Sequence, residues 1–206
     1  DDQFPHEIRK NAGSPSFRRR GPQGLGEEVA RALEQNSRSG EGSAGAAEQD
    51  FLRAWFEEKR CLIPTQLWES WSPVSNNTLE HEVRLRLDDR RAIKKTLPGT
   101  FGFVPAWDGA RWESRSATAA EYLHRMHLQN LIFEDDIRLE GGMIASGPSF
   151  VIGQPPDGFS FVISQQWLEA ADNRNQFPSE DEIHEYLAAI GFHPLRNAFY
   201  GWQSSD

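Results

Sequence analysis

Strict alternation of apolar and polar residues marks the centre of this chain. The segment Glu80 to Leu87 (EHEVRLRL) places Val83 and Leu85 on one side and arginines on the other. A period of two residues is typical of a half-buried β-strand. The turn residues 88–90 follow, and Arg91 to Thr96 returns as a second strand. The pattern therefore predicts a β-hairpin.

Helical spacing predicts the other main elements. The strongest pattern is a helix over Ala117 to Phe133, which Ser116 can cap. A helix from Ser179 to Ile190 begins with a capping box and ends before Gly191. The remaining predicted elements are a helix at Asp50–Lys59, an edge strand at Cys61–Ile63, and strands at Ile137–Ile144, Ser149–Ile152 and Phe159–Ser164. This order predicts an α+β fold, in which an antiparallel sheet carries one major helix and helical structure follows.

The N-terminal region differs in composition from the rest of the chain. Residues 1–48 are rich in Gly, Pro, Ser and Arg or in Ser, Gly, Ala and Glu, and only Gly26 to Gln35 has a weak helical pattern. Such a composition buries too little apolar surface to offset the entropy of ordering. We therefore expect a flexible polar tail or linker at 1–48, with the folded part beginning near Gln49.

Charge and cysteine content narrow the function classes. A net charge of -9 argues against a broad nucleic-acid-binding surface. The single cysteine, Cys61, allows no intramolecular disulfide, which is typical of a reducing, cytoplasmic setting. No apolar run approaches the length of a membrane-spanning helix, so no membrane association is expected. Because the chain begins with Asp1 rather than Met, we expect it to be a piece of a longer protein.

The hairpin and the major helix carry candidate phosphotransfer chemistry. Transfer of a phosphoryl group from a nucleotide requires a fixed cation near the phosphates and a carboxylate that holds this cation in place. Lys94 on the second hairpin strand and Glu121 on the helix that follows suit these roles. Ala92 lies on the same strand face as Lys94 and leaves room for a base, whereas Lys95 points the other way.

A wider series of short motifs around these residues follows a recognisable order. The series comprises Glu80-His81-x-Val83, Ile93-Lys94-x-Thr96, Pro98-Gly99, Phe101-Gly102, Ala117-Thr118-x-x-Glu121-Tyr122-Leu123, Leu128-Gln129-Asn130, Asp135-Asp136-Ile137-Arg138-Leu139-Glu140-Gly141, Val162-Ile163-Ser164-Gln165 and Gly191-Phe192. It resembles the Ser/Thr/Tyr protein-kinase-like domain of polyvalent proteins encoded by phages and other mobile elements. The resemblance covers roughly residues 60–200 and rests on the order of the motifs, since each alone is a weak signal.

The resemblance implies the N-terminal lobe of a kinase-like fold over 49–163, then a hinge and the beginning of a helical C-terminal lobe over 164–206. Lys94 is then the phosphate-binding lysine of the third strand, and Glu121 is its partner. The implied adenine pocket is lined by Ala92, Val83 and Ile93, and the implied hinge consists of Ser164, Gln165 and Gln166. The implied cofactors are ATP and Mg²⁺, the latter only with the rest of the C-terminal lobe, and the implied partner is a protein substrate.

Departures from the family pattern keep alternatives open. There is no glycine-rich phosphate loop, and Val74 to Thr78 stands in its place. The family pattern places the catalytic loop shortly after 199–202, and no catalytic Asp-Asn pair precedes Asp206. No Asp-Phe-Gly triplet is present either: Asp157-Gly158-Phe159 has the same three residue types in a different order. As given, the chain is expected to bind nucleotide without transferring phosphate.

The first alternative is a catalytically inactive kinase-like interaction module of a multidomain protein. The second is an unrelated α+β binding domain, which an absent Lys94–Glu121 contact favours. His124 and His127 are interpreted as a surface pair rather than metal ligands, and Glu134-Asp135-Asp136 as a solvated turn.

Overall fold

The computed structural model describes residues 22–37, 44–74, 80–146, 157–168, 179–194 and 202–204. Its helices are α1 (Pro22–Ser37), α2 (Ala44–Glu58), α3 (Thr65–Glu69), α4 (Ala119–Phe133) and α5 (Glu180–Ala189). Its strands are β1 (Ser72–Pro73), β2 (His81–Arg86), β3 (Arg91–Thr96), β4 (Phe103–Trp107), β5 (Trp112–Ser116), β6 (Arg138–Ser146), β7 (Asp157–Gln166), β8 (Phe192–Pro194) and β9 (Trp202–Ser204). The α+β class with an antiparallel sheet is confirmed.

A five-stranded antiparallel sheet in the order β1-β2-β3-β7-β6 forms the centre of the molecule. The predicted β2–β3 hairpin is present, with Val83 opposite Lys94. Its turn ends at Arg90, whose positive φ of 53° reverses the chain. Because successive residues of a strand point to opposite sides, β3 sends Ala92, Lys94 and Thr96 to one face and alternate residues to the other.

We call one side of the sheet the helix face. It carries Ala92, Lys94 and the β7 residues Phe159, Phe161 and Ile163. Helices α1, α2 and α4 pack against this side. The large core residues buried here come from both layers: Leu25, Val29, Leu33, Leu52, Phe56, Phe101, Tyr122, Leu123, Met126, Leu139, Phe159, Phe161 and Ile163. Phe161 is fully buried, and its ring lies within 6.1 Å of those of Phe56, Phe101, Tyr122 and Phe159. This aromatic cluster forms the main core.

The opposite side is the tryptophan face, where α3 and the residues around it cover the sheet. Trp68 is buried with Ile63, Ile93, Met143 and Val162, and Trp71 packs against the group. Charged residues of β2 and β3 lie around these rings: Arg84 and Lys95 lie over the Trp68 ring, and Arg86 lies over the Trp71 ring. The second core is therefore smaller and is bordered by ion pairs.

Part of the segment predicted as a polar tail is folded. In α1, Leu25, Val29 and Leu33 are buried against α4 and β6. Their spacing of four residues places them on one side of the helix, so three apolar side chains are enough to attach it despite the polar composition. Helix α2 also begins earlier than predicted, at Ala44 rather than near Asp50.

Several other elements differ from prediction. The edge strand is β1 rather than Cys61–Ile63, where Leu62 makes an isolated parallel bridge to Gly142. Helix α4 begins after Thr118 rather than Ser116. The hairpin of β4 and β5 was not predicted. The predicted strand at 149–152 and the phosphate-loop substitute at 75–78 lie outside the described residues.

The capping box of α5 is present as predicted. Ser179 accepts a hydrogen bond from the Glu182 N–H, and the Glu182 carboxylate accepts one from the Ser179 N–H. None of the helices in the described ranges combines the length and the apolar character that crossing a bilayer requires.

Candidate functional site

Lys94 lies near the middle of β3 on the helix face of the sheet. Its Nζ donates a hydrogen bond of 2.6 Å to Oε1 of Gln165 on the neighbouring strand β7. Ala92, which is buried, pairs with Gln165 in the register, and Val83 on β2 pairs with Lys94. Four of the predicted site residues (Lys94, Ala92, Val83 and Gln165) are thus brought together on three adjacent strands.

Gln165 connects Lys94 to a carboxylate. Its Nε2 donates to both carboxylate oxygens of Asp135, at 2.9 and 2.8 Å. One amide therefore accepts from a cation and donates to an anion, which fixes the orientation of its oxygen and nitrogen. Asp135 lies in the connection between α4 and β6, so the long helix and the sheet edge together position this chain of contacts.

In the described ranges, no carboxylate forms an ion pair with the Lys94 ammonium. Burial lowers the pKa of Lys94, and the nearby Asp135 carboxylate opposes this shift. Burial, followed by the charge of Lys94, also lowers the pKa of His81 to about 4, so His81 is neutral at pH 7. Nε2 of His81 lies 2.9 Å from the Tyr122 hydroxyl. The ammonium therefore bonds directly to an uncharged amide, with a neutral imidazole and the Asp135 carboxylate close enough to act on it by charge.

The neighbouring Lys95 has a contrasting environment. It is on the tryptophan face, where its Nζ lies 2.7 Å from Oε2 of Glu82 and 4.8 Å from the centre of the Trp68 ring. Burial alone would raise the pKa of Glu82, but the hydrogen bond and charge of Lys95 lower it overall. Lys95 is therefore a paired structural cation, in agreement with its predicted orientation away from Lys94.

The predicted contact between Lys94 and Glu121 is not formed, which corrects the sequence interpretation. Glu121 is the third residue of α4, where its carboxylate accepts the Thr118 N–H at 2.9 Å in a capping box. Arg115 donates two hydrogen bonds to the same carboxylate. The Arg115 guanidinium, ahead of the opposing burial and the Thr118 N–H, lowers the pKa of Glu121 to about 2. The helix start therefore holds this side chain away from β3.

Other predicted site residues lie apart from Lys94. Ile93 is buried on the tryptophan face and so cannot line a pocket with Ala92. Ser164 is on that face too, where its hydroxyl accepts from Arg91 Nε at 2.9 Å and donates to Glu140 at 2.5 Å. Gln166 is exposed at the end of β7 and pairs with Arg91. All three predicted hinge residues are strand residues paired with β3.

The acidic run after α4 was interpreted as a solvated turn, and two of its members have specific contacts instead. Asp135 binds Gln165, as described above. Asp136 accepts hydrogen bonds from Arg91 at 2.7 Å and from Arg138 at 2.6 Å. The position of these residues in the sequence could have indicated the contacts, because carboxylates directly before a strand can reach residues on neighbouring strands. A run of three acidic residues by itself suggests only solvation.

A separate groove with a volume of about 770 Å³ lies between α1, α4 and β6. Leu123, Met126 and Leu139 contribute apolar surface to it, and His124 and His127 also line it. Lys94 does not line this groove, so the groove is not the predicted nucleotide pocket. In the described ranges, no group of three or more His, Cys, Asp or Glu side chains is arranged to hold a metal ion.

Comparison of the chain with protein-family models, with curated proteins and with solved structures found no match.

Proposed function

We propose that the Lys94 site binds the phosphates of ATP and that the chain is the nucleotide-binding part of a protein-kinase-like phosphotransferase. One observation carries the proposal: among the described residues, the half-buried Lys94 ammonium hydrogen-bonds with Gln165 alone, which is uncharged. A partly desolvated cation with a neutral partner gains free energy when an anion approaches. A triphosphate supplies such an anion.

The position of Lys94 in the chain supports the same proposal. It lies on the third strand of the sheet, a helix follows, and two further strands of the same sheet come after the helix. Kinases use a lysine on the third strand and a following helix to hold nucleotide phosphates. Ala92 and Val83 flank Lys94 on the sheet and provide the small apolar surface that an adenine ring requires.

The role assigned to this chain is binding rather than complete catalysis. Lys94 holds phosphate oxygens, and Gln165 with Asp135 keeps the ammonium oriented. Mg²⁺ is assigned no ligand here, since the described residues contain no carboxylate cluster suited to it. No residue of the described ranges is assigned as the base that activates a hydroxyl group.

Calorimetric titration with ATP, with and without Mg²⁺, tests the proposal. Lys94→Met keeps the length of the side chain and removes its charge, so it should weaken ATP binding about tenfold or more, the equivalent of one charge-assisted hydrogen bond. The matched control is Lys59→Met, because Lys59 is an exposed lysine directly after α2 that already pairs with the Glu28 carboxylate of α1. Absent ATP binding, or equal binding by Lys94→Met and the unmodified chain, would falsify the proposal.

A second candidate is an interaction module without nucleotide, either an inactive kinase-like module or an unrelated α+β binding domain. The observation that favours it is the engagement of Glu121 with Arg115 and Thr118 rather than with Lys94. Under this alternative, ATP produces no heat of binding, and Lys94→Met leaves the binding of a protein partner unchanged. The same titration therefore separates the two candidates.

A further inference from the structure

The β4–β5 hairpin is separate from the central sheet. Within the described ranges its two strands pair with each other and with no other strand. Its turn is closed by a hydrogen bond of 3.1 Å from the Asp108 N–H to the Arg111 carbonyl, and Gly109 supplies the positive φ of 100°. A two-stranded ribbon has two outer edges, and each edge presents unpaired backbone groups that another strand can use.

The register shows which backbone groups point outward. Bonded and non-bonded pairs alternate along an antiparallel ladder. Since Ala117 N–H bonds to the Gly102 carbonyl and Asp108 bonds to Arg111, the pairs Val104–Arg115 and Ala106–Glu113 are the bonded ones. The N–H and C=O groups of Trp112, Ser114 and Ser116 therefore point away from β4.

The two edges of the hairpin are not equivalent. On β4 the middle outward position is Pro105, which has no N–H group to donate. A proline at this position is a common protection of an edge strand. The β5 edge has an N–H at every outward position, and Glu113 to Ser116 are exposed there. The β5 edge is therefore the one suited to accept another strand.

The sequence of β5 is complementary to itself in the antiparallel direction. If β5 pairs with β5 of a second copy about Ser114, each outward group meets its counterpart and about six backbone hydrogen bonds form. Glu113 then lies opposite Arg115 of the second copy in a non-bonded pair, where the Cα atoms are about 4.5 Å apart. Two-fold symmetry repeats this contact, so the dimer gains two cross-strand pairs of opposite charge.

We propose that the chain forms a symmetric dimer in which the β5 edges of two copies pair antiparallel about Ser114, joining two hairpins into one four-stranded sheet. A second copy is the partner that fits this edge, because antiparallel pairing about Ser114 places Glu113 of each copy opposite Arg115 of the other. An arbitrary extended peptide would use the backbone groups but would not match these charges.

The exposed aromatic side of the hairpin is consistent with this pairing. Phe103 and Trp107 are 53% and 50% exposed, and they share a face with Pro105, Trp112 and the small Ser114 and Ser116. In the dimer, Trp112 of one copy lies beside Ser116 of the other, with Phe103 beyond it. The small serine leaves room for the indole, so apolar surface that is exposed in the monomer is covered in part.

The ion pairs within one copy are compatible with the dimer. Arg115 already donates to Glu121 and to the Ser116 carbonyl, and Glu113 accepts from Arg111. A guanidinium has five N–H donors and a carboxylate has about four acceptor sites, so each group can add a partner across the interface. The Ser116 carbonyl likewise has a second lone pair for the strand contact.

Sedimentation velocity of the unmodified chain over a wide concentration range measures the dissociation constant of the dimer. We expect a reversible monomer–dimer equilibrium. Glu113→Arg and Arg115→Glu each place like charges opposite each other twice, so each should weaken dimerisation about tenfold. An equimolar mixture of the two variants restores opposite charges at both contacts, and it should form a heterodimer as readily as the unmodified chain forms a homodimer.

Matched control variants make the same changes of charge at positions outside the hairpin. Glu57→Arg and Arg53→Glu, at exposed positions of α2, should leave dimerisation unchanged. Ser114→Pro removes the central outward N–H but leaves the ladder to β4 intact, as Pro105 does on the other strand, and it should abolish the dimer. Thermal unfolding of each variant confirms that the chain is folded.

Three outcomes would overturn the proposal. The first is a chain that remains monomeric at the highest concentration. The second is a dimer that survives Ser114→Pro or Glu113→Arg at full strength, which would place the interface elsewhere. The third is a mixture of the charge variants that stays monomeric although each variant is folded. Hydrogen exchange adds an independent readout, since the Ser114 and Ser116 amides should become protected only as the dimer forms.

Discussion

Two adjacent lysines on β3 belong to opposite faces of one sheet and have different surroundings. On the tryptophan face, Lys95 lies 2.7 Å from the Glu82 carboxylate and beneath an indole ring. On the helix face, Lys94 is bonded to an amide, and a neutral imidazole is nearby. The tryptophan face therefore binds its cations with its own anions, whereas the helix face leaves one cation available to an external anion.

This difference indicates how a small sheet separates stability from binding. Arg91, Ser164, Glu140 and Asp136 form a connected set of hydrogen bonds on the tryptophan face, so each charge there has a partner. The helix face relies on aromatic packing and contains a charge that burial destabilises. A half-buried charge whose pKa is perturbed by burial is a common property of a binding site.

The largest expected effect is the difference in stability between the two lysine-to-methionine variants. Lys95→Met leaves the Glu82 carboxylate without its cation, so we expect a loss of about 2 kcal/mol in the free energy of unfolding, less than for a fully buried pair. Lys94→Met removes a cation that burial disfavours, so the free energy of unfolding should stay the same or rise by up to about 1 kcal/mol. Urea unfolding measures both.

The double variant is the control for this comparison, because the two side chains point to different faces and share no partner. The two changes should therefore add. A loss at Lys94→Met as large as at Lys95→Met would mean that Lys94 is also a structural cation, and the contrast between the two faces would not hold.

A second effect should appear as pH falls. The pKa of His81 in the folded chain is about 4, below its usual value of 6.5, so the unfolded state binds the proton first. The helix face therefore contributes its full stability above pH 6.5 and loses part of it between pH 6.5 and 4. We expect a loss of about 2 kcal/mol, less than the full shift implies because the side chain is not completely buried.

His81→Gln keeps a hydrogen-bonding group near Tyr122 and removes the titration. Its unfolding free energy should change little between pH 6.5 and 4.5, where the unmodified chain is destabilised. The hydrogen bond from Arg138, followed by that from Arg91, lowers the pKa of the Asp136 carboxyl. The ion pairs of the tryptophan face should therefore lose their stabilising effect only at a lower pH, where Asp136 is protonated. If the unfolding free energies of His81→Gln and of the unmodified chain depend equally on pH, His81 is not the titrating group.

The smallest effect compares two buried serines on the tryptophan face of β7. Among the residues that the structure describes, the Ser160 hydroxyl has no hydrogen-bond partner, whereas the Ser164 hydroxyl bonds to both Arg91 and Glu140. Ser160→Ala should therefore raise the unfolding free energy by about 0.5 kcal/mol, and Ser164→Ala should lower it by about 1 kcal/mol. Chemical denaturation resolves the sign, and a loss at Ser160→Ala would indicate a partner for its hydroxyl.

The sequence predicted the elements whose pattern is complete within a short segment. The alternation in Glu80–Leu87 was enough for the β2–β3 hairpin, and the Ser179–Glu182 capping box marked the start of α5. The placement of Lys94 and Lys95 on opposite faces followed from the period of a strand alone. These features depend on neighbours along the chain and need no knowledge of the tertiary fold.

The position of Glu121 was misjudged although a local signal existed. Thr118 and Glu121 have the spacing of a capping box, and this motif commits the glutamate to its own helix end. Taking Ser116 as the cap moved the predicted helix start by two residues and left Glu121 free to reach Lys94. The partner that Lys94 does have, Gln165, is 71 positions away along the chain, and no local pattern indicates it.

The remaining differences come from elements with few buried residues. The β4–β5 hairpin is largely exposed and contains Pro105, so it lacks the apolar alternation that signals a strand. Helix α1 has a polar composition, and its stability depends on three side chains that contact α4 and β6 from far along the chain. Tertiary contacts rather than propensity determine both elements.

The pairing of β3 with β7 has a consequence for how the protein folds. Gln165 and Lys94 meet across 71 positions, and the β4–β5 hairpin, α4 and β6 all lie between them. The β2–β3 and β6–β7 ribbons are local and can form in microseconds, but joining them requires closure of a long loop. The joining step should therefore limit the rate of folding. During synthesis, the inner edge of β3 remains unpaired until the ribosome has released β7.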